Sequence, residues 1–518
     1  MGKTTGAGDK VMVESFVGIA SALRSLWALY LLTQPVNYGS IAYEYEKNSY
    51  PLALADVWAD TPDAEQAIAF LQQPDPEATD TLEIDLYSSF VLKGQMRKYF
   101  AFGEALDPAY RDRMYAAMDL LTRTDPLATE AEEPRKFWEN SRDDCTTRID
   151  CRNTDNLRAM RETSVYLMAE TTGNEATRLI YKAHLERYVT TLLDIGMGEW
   201  DSPIYHGHTT AAYLNLYDFA QDPEVKALAN TALDWLFRNA ALKYWRGTWT
   251  GPSKRAGGEG AAAFFWLYFG DGPPPAQVEK DWIHALTSDY RPPAAIVALA
   301  QRRFPRPAEI RRTHPHYENW LPDQYGPAFW ETLYFGHTFQ LGTLARGTGG
   351  DWEGFHLAMA TDAGVATVTV TTDGPHAIAQ FRNLVLWQGQ AAPTLNLPPG
   401  ERVERQGITF LAVGNTWLAI HPLADGFALE VGEPQSHGSF AAFQTAVVDR
   451  AALSLIGTRL TYRDSQGHEI ALHQHLQNGL PQVWRDGSRH DWHHHWQTPD
   501  WFAIAGLSPP AEVPRLAD

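Results

Sequence analysis

The chain has 518 residues, 44% hydrophobic and 20% charged, which is enough for two or three globular domains. Its formal net charge of −20 and its pI near 5.3 disfavour nucleic acid as a partner, because nucleic-acid binding needs a basic face. An anionic polymer would also be repelled at long range, so it could bind only where Lys and Arg are concentrated locally. Aromatic residues make up 12% of the chain, and their rings suit sugar faces as well as protein cores.

Residues 1–35 are predicted to form an N-terminal helix or a targeting segment. Two lysines precede a partly apolar stretch, Val11–Leu32, that Glu14 and Arg24 interrupt, and no clean small-residue cleavage site follows. The uncharged run that comes next contains Pro35 and polar residues, so no membrane span is predicted. A periplasmic or secreted location is favoured, and a cytoplasmic location is the alternative.

Residues 36–345 are predicted to form a helical catalytic domain. Apolar residues recur at helical spacing in 156–170 and 175–193, and Asp222-Pro223 begins a helix that runs to about Asn239. Further helices are predicted around 258–270, 276–289 and 293–304, with Gly- and Pro-rich loops between them. Paired helices with such loops favour an α/α toroid, and a plain helical bundle is the alternative.

Residues 346–518 are predicted to form an antiparallel β-sandwich. Strict alternation of apolar and polar residues begins at Val365 and returns at Ile408 and Trp417, separated by turn signals such as Asp373-Gly374. The fold class is therefore predicted as multidomain α+β, with the toroid first and the sandwich second.

No cofactor and no metal are expected. The chain has no Gly-rich phosphate loop, no dinucleotide fingerprint, no GxSxG elbow and no HExxH motif. Cys145 and Cys151 fall short of a zinc site and are interpreted as structural, either bonded or free. The tract Arg489–Trp496 contains three adjacent histidines, which cannot all turn inward on one regular element, so a loop packed on the helical domain is favoured there.

The segment Gly198–Thr209 is the most informative part of the sequence. It joins two predicted helices and contains acidic, phenolic and imidazole groups within a few residues: Glu199, Asp201, Tyr205, His206 and His208. Tyr and His can donate and accept protons, which is what general acid–base catalysis needs. The alternative is a helix-capping loop whose carboxylates bind backbone amides.

Three further clusters supply candidate binding residues. Asn156 lies at the start of a predicted helix, where it is either an N-cap or a hydrogen-bond donor to a substrate. The segment Lys243–Arg255 is a local cationic and aromatic patch, or else a basic helix end; its candidates are Tyr244, Arg246, Trp249 and Arg255. A cluster rich in residue types that bind sugars follows near the end of the helical half: His314, His316, Trp320, Asp323 and Tyr325.

These motifs resemble the heparinase/alginate-lyase type of polysaccharide lyase, with an α/α toroid and a C-terminal β-sandwich. The resemblance covers roughly residues 150–500 and rests on these segments: Asn156, Glu199-Trp-Asp-Ser-Pro-Ile-Tyr205, Asp222-Pro223-Glu224, Leu228-Ala229, Leu233-Asp234-Trp235 and Tyr334–Gly342. Such proteins often have an Asn-His pair where this chain has Asn156-Leu157, so the base would be another histidine.

The resemblance implies β-elimination at a uronic acid in an anionic polysaccharide or oligosaccharide. Asn156, Arg246 and Arg255 would bind the carboxylate, with Glu199, Trp249 and the third cluster also contacting the sugar. His206 or His208 would be the base, and Tyr205 or Tyr244 the acid; the alternative is that the tyrosine serves as the base as well. Two alternatives remain: a glycoside hydrolase that uses Glu199 with Asp201 or Asp323, and a carbohydrate-binding protein without catalysis.

Overall fold

A computed structural model gives the fold of most of the chain beyond the first 37 residues. The residues described are 38–39, 41, 46–127, 148–150, 154–255, 257–258, 260–275, 281–315, 327–347, 352–372, 374–473 and 479–492. Six residues that were singled out in the sequence lie outside these ranges: Cys145, Cys151, His316, Trp320, Asp323 and Tyr325.

The protein is α+β, with a helical N-terminal half and a sheet-rich C-terminal half. The helices of the first half are α1 (Glu46–Ala59), α2 (Ala64–Leu71), α3 (Ser89–Phe102), α4 (Pro108–Thr122), α5 (Asp155–Thr172), α6 (Glu175–Ile195), α7 (His206–Phe219), α8 (Pro223–Lys243), α9 (Gly260–Phe269), α10 (Trp282–Leu286) and α11 (Ala294–Ala300). In the part of the chain that the structure describes, no helix combines the length and the apolar character that crossing a bilayer requires.

Local sequence explains where the principal helices begin and end. Asp222 caps α8 by accepting a hydrogen bond from the backbone N–H of Glu224, and Pro223 takes the first helical position. Gly173 ends α5 with a φ of 75°, a conformation that glycine adopts without strain. Every residue of α5 from Asp155 to Ala169 is buried, so this helix lies at the centre of the helical half.

Antiparallel strands make up most of the second half. They are β4 (Ala308–Pro315), β5 (Pro327–Phe335), β6 (Phe339–Leu344), β7 (Arg346–Gly347), β8 (Trp352–Glu353), β9 (Phe355–Thr361), β10 (Gly364–Thr371), β11 (His376–Phe381), β12 (Leu384–Gly389), β13 (Thr394–Asn396), β14 (Glu401–Arg405), β15 (Ile408–Val413), β16 (Thr416–Leu423), β17 (Gly426–Gly432), β18 (Ala452–Ile456), β19 (Arg459–Arg463), β20 (Glu469–His473), β21 (Gln482–Arg485) and β22 (Ser488–Arg489). Two helices interrupt them, α12 (Pro434–His437) and α13 (Phe440–Arg450).

These strands form three large sheets. The strand orders are β13-β10-β9-β6-β5-β4, β14-β15-β16-β17-β12-β11-β7 and β18-β19-β20-β21-β22. Apolar side chains of the six-stranded and seven-stranded sheets share one core, in which Leu341 and Leu357 lie with Trp387 and Leu429. The five-stranded sheet contributes Leu460, Ile470 and other residues to a separate core with the seven-stranded sheet.

Short strands and long side chains join the two halves. The strand β3 (Ser253–Lys254) follows the pair β1 (Tyr244–Trp245) and β2 (Thr248–Trp249) and hydrogen-bonds to β8 of the sheet-rich half. Arg246 donates to the backbone carbonyls of Thr361 and Gly364 at 3.0 and 3.3 Å. The loops that follow α6 and α8 are therefore fixed against the sheets.

Two expectations about the elements differ from the structure. Strands were expected only within residues 346–518, but β4 starts at Ala308 and pairs with β5 in the same sheet as β9 and β10. A helix was expected over 276–289, but the described part is a single short helix, Trp282–Leu286. The domain limits at 35 and 345 remain predictions.

Candidate functional site

The loop Gly196–Tyr205 between α6 and α7 is held by hydrogen bonds along its length. The carbonyl of Trp200 accepts from the backbone N–H of Lys254 at 3.1 Å, and that of Asp201 accepts from the Trp249 indole at 2.8 Å. Ser202 Oγ accepts from the backbone N–H of Tyr205 at 3.1 Å, just before α7 begins. The side chains of this loop are thus presented in fixed directions.

Tyr205, Arg255 and Glu199 meet at the open side of this loop. The Arg255 guanidinium donates to the Tyr205 hydroxyl at 3.2 Å, and its Cζ lies 5.3 Å from the centre of the Tyr205 ring. Its Nε lies 3.7 Å from Oε1 of Glu199. The Arg255 side chain is 32% exposed above the buried Glu199, and Tyr205 is half-buried. A cation therefore stands at the surface next to a phenol, with a carboxylate beneath.

His208, one helical turn beyond Tyr205, is itself only 2% exposed and contacts a buried carboxylate. Its Nδ1 lies 2.5 Å from Oδ2 of Asp281, and Lys93 pairs with the other oxygen of that carboxylate. Burial opposes ionisation of Asp281, but Lys93 and the hydrogen bond with His208 hold its pKa well below the usual range. Asp281 therefore stays ionised and holds the imidazole at Nδ1.

Aromatic rings connect His208 with Tyr205. The two ring centres are 6.1 Å apart, and Phe90 on α3 packs edge-on against His208 at 5.2 Å. Lys47 lies over the Phe90 ring at 5.0 Å. The imidazole, the phenol and the Arg255 guanidinium are thus neighbours, and we call Tyr205, His208, Arg255, Glu199 and Asp281 the Tyr–His site.

The start of α5 lies against the same loop. Asp155 Oδ1 accepts from the backbone N–H of Glu199 at 2.9 Å, and burial raises the pKa of Asp155 to about 6 although hydrogen bonds with backbone amides oppose the shift. Asn156 is 2% exposed and accepts a hydrogen bond from Thr154. Asn156 therefore lies close to the loop but within the packed interior.

His206 and Tyr244, two candidates for proton transfer, lie elsewhere. His206 is fully buried between Trp249 and Phe265, and its Nε2 is 3.0 Å from the Leu236 carbonyl. Burial lowers the pKa of His206 to about 4, so it is a neutral core residue at ordinary pH. Tyr244 is fully buried and donates to the carbonyl of Gly270. We leave both out of the candidate site because neither reaches the Tyr–His site.

Arg246 and Trp249 also have structural contacts. Arg246 is directed to the hairpin of β9 and β10, as described above, and so points away from the Tyr–His site. Trp249 is 8% exposed and stacks on Phe265, with its indole N–H bound to the loop carbonyl of Asp201. Only Arg255 of the cationic segment lies at the Tyr–His site.

His314 belongs to a buried cluster of charges that we call the junction cluster: Asp201, Lys243, Arg312, His314 and Glu331. Lys243 pairs with Glu331, Arg312 pairs with both Glu331 and Asp201, and His314 Nε2 lies 3.0 Å from Glu331. The ring of His314 stacks on Trp200 at 4.3 Å. This cluster joins the helical half to β4 and β5.

The oxygen and nitrogen atoms of Asp201, His314 and Glu331 lie within 4.8 Å of one another, close enough to hold a metal ion. Lys243 and Arg312 already bind both carboxylates, and two positive side chains next to a cation would repel it. We therefore assign no metal there.

Sequence reasoning missed Asp281, Lys93 and Phe90. Lys93 lies in an apolar run on α3, and Asp281 precedes a short helix, so neither stands in a motif. Their partner His208 is distant along the chain, and only the packing of α3, α7 and α10 brings the three side chains together. A charged residue inside an apolar run, as at Lys93, was the one available signal.

Comparisons with known protein families, with curated proteins and with solved structures gave no match to this chain. The family resemblance therefore stays a prediction.

Proposed function

We propose that this protein is a polysaccharide lyase that cleaves a uronic-acid-containing polysaccharide by β-elimination. The observation that carries the proposal is the Tyr–His site: a half-exposed phenol bound to an arginine, next to a histidine held by a buried carboxylate. These are the groups that elimination needs, namely a proton acceptor, a proton donor and a cation for the sugar carboxylate.

The same proposal includes the finer architecture, an α/α toroid followed by a β-sandwich. In support, α5 packs against both α6 and α7, and also against α3. Contacts between helices two apart in sequence are expected when alternate helices form an inner ring. The shared apolar core of the six-stranded and seven-stranded sheets is typical of two sheets packed face to face.

The residues take the following roles in this mechanism. Arg255 pairs with the C6 carboxylate of the uronic acid, which makes the C5 proton more acidic and stabilises the enolate-like intermediate. His208 accepts the C5 proton at Nε2 while Asp281 stabilises the imidazolium that forms. The C4–O4 bond then breaks, a C4–C5 double bond forms, and Tyr205 gives its proton to the leaving O4.

The test uses the ultraviolet absorbance of the unsaturated uronate product, measured on glucuronan, alginate, heparinoid, ulvan and hyaluronan. Tyr205→Phe and His208→Gln should each lower the rate by about 10²–10⁴-fold, the usual contribution of one acid or base. Tyr217→Phe is the matched control, since Tyr217 lies on the same helix and is also half-buried. Full activity in both site variants would remove the assignment.

The hydrolase alternative needs a pair of carboxylates on either side of the sugar bond. Asp201 is bound by Arg312 inside the junction cluster, so it does not form such a pair with Glu199. New reducing ends without ultraviolet absorbance would nevertheless favour hydrolysis. Sugar binding with no product, unaffected by Tyr205→Phe and His208→Gln, would favour a binding protein without catalysis.

A further inference from the structure

A cleft of about 690 Å³ lies between the six-stranded and five-stranded sheets. It is lined by Pro327 and Trp330 of β5 and by a segment near the end of the described chain: Leu480, Arg489, His490, Asp491 and Trp492. Pockets that hold small ligands usually measure about 300–1,000 Å³, so the cleft has the size of a binding site.

The cleft is distinct from the Tyr–His site, because successive side chains of a strand point to opposite faces of its sheet. Phe329 packs on Trp200 at 5.3 Å, and Glu331 joins the junction cluster, so both point toward the helical half. Trp330, between them, points away from the helical half and lines the cleft. An occupant would therefore contact the opposite face of the sheet from the Tyr–His site.

The second tryptophan of the cleft is held in place before any ligand arrives. The indole N–H of Trp492 donates to the carbonyl of Pro481 at 2.8 Å, and His490 packs edge-on against its ring at 4.5 Å. The backbone N–H of His490 in turn donates to the carbonyl of Val483 at 2.7 Å. A ring fixed at several points loses little conformational entropy on binding.

The aromatic and polar side chains that line the cleft favour one class of ligand. Trp330 and Trp492 are half-buried, and their electron-rich faces attract the slightly positive C–H groups of a pyranose ring. The exposed Arg489 and Asp491 bring hydrogen-bond donors and acceptors, which sugar hydroxyls can use in both senses.

We propose that this cleft is an oligosaccharide-binding site, in which sugar rings stack on Trp330 and Trp492 and their hydroxyls bind Arg489 and Asp491. The site does not depend on the lyase chemistry. It would hold a glycan chain on the sheet-rich half. The expectation that the 489–496 tract packs on the helical domain stays a prediction. The histidines at 493–495 lie outside the described residues.

The test is titration calorimetry with hexasaccharides of glucuronan, alginate and cellulose. An Arg255→Ala background removes the carboxylate-binding group of the Tyr–His site, so that binding at the cleft is measured separately. Trp330→Ala should weaken the tightest-binding hexasaccharide by about tenfold or more, as expected for a central aromatic contact. Trp484→Ala is the control, since Trp484 is also half-buried in the five-stranded sheet, and it contacts Arg459 and does not line the cleft.

Arg489→Ala, an exposed substitution, provides a second variant that leaves the core packing unchanged. Circular dichroism shows whether each variant is folded. Weaker binding by Trp330→Ala and Arg489→Ala, with Trp484→Ala unchanged, supports the site. Absence of binding by every hexasaccharide, or equal affinity in all variants, overturns it. Either result leaves the ultraviolet assay of the lyase reaction to be judged on its own.

Discussion

Replacing Glu331 by Gln tests the physical account of the junction cluster. Glu331 and Asp201 supply two carboxylates, Lys243 and Arg312 supply two basic groups, and burial lowers the pKa of His314, which favours its neutral form. The cluster is therefore balanced. Glu331→Gln keeps the shape of the side chain but leaves one buried positive charge in excess.

The expected loss of stability follows from the burial of the side chains that pair with Glu331. Lys243 and Glu331 side chains are 0% exposed, and that of Arg312 is 10% exposed, so water cannot replace the lost carboxylate. Removing one partner from a buried ion pair typically costs about 3–5 kcal/mol. Glu331→Gln should therefore lower the free energy of unfolding by that amount, which shifts the equilibrium by about two to three orders of magnitude or slightly more.

The assay is urea unfolding followed by tryptophan fluorescence, with Trp200 as a local reporter because it stacks on His314. Adding Lys243→Met to Glu331→Gln restores the charge balance, so the double variant should be less destabilised than the sum of the two single variants. Glu404→Gln is the control, because its exposed pair with Arg402 should contribute about 0–1 kcal/mol. A loss below about 0.5 kcal/mol in Glu331→Gln, or strict additivity, would refute the account.

Three further predictions concern stability. Burial raises the pKa of Glu430 to about 7, so the folded protein keeps a proton that the unfolded chain loses above its ordinary pKa. The unfolding free energy should therefore fall by about 2.5 kcal/mol between about pH 5 and pH 8 relative to Glu430→Gln. Gly272→Ala should lower the midpoint temperature of thermal unfolding, because Gly272 has a φ of 138° and a Cβ there would lie 2.5 Å from backbone atoms of Arg246. An unchanged midpoint would contradict this prediction. Arg246→Ala should lower the free energy of urea unfolding by about 1–3 kcal/mol, because the carbonyls of Thr361 and Gly364 lose their charged donor. An unchanged free energy of unfolding would show that this contact does not join the halves.

The sequence predicted the long helices well because their signals are local. The start of α8 at Asp222-Pro223 follows from a cap and a proline, and both the cap bond and the helix are present. The strand β4 was missed for a physical reason. Its inward positions alternate as a strand requires, but two of them hold Arg312 and His314, so the apolar alternation that identifies strands is absent.

The candidate site was predicted only in part. Tyr205, His208, Glu199 and Arg255 come together, because the loop before α7 and the turn after β3 are fixed against each other. Spacing along the chain could not separate His208 from His206, since both lie in the first turn of α7. They differ in what surrounds them: one contacts the carboxylate of Asp281, and the other is enclosed by aromatic rings.

The junction cluster and the Tyr–His site share one loop. Glu199 reaches Arg255, and two residues later Asp201, with a left-handed φ of 51°, turns to Arg312. A buried ion pair is a weak source of net stability, but its geometry is specific, since a misplaced partner would leave a charge unpaired. We infer that the cluster's main effect is to fix the direction of this loop. Catalytic groups gain from such positioning, because small misplacements lower rates strongly. The charges that join the helices to the sheets would then also hold Tyr205 and Glu199 in the positions that the proposed function requires.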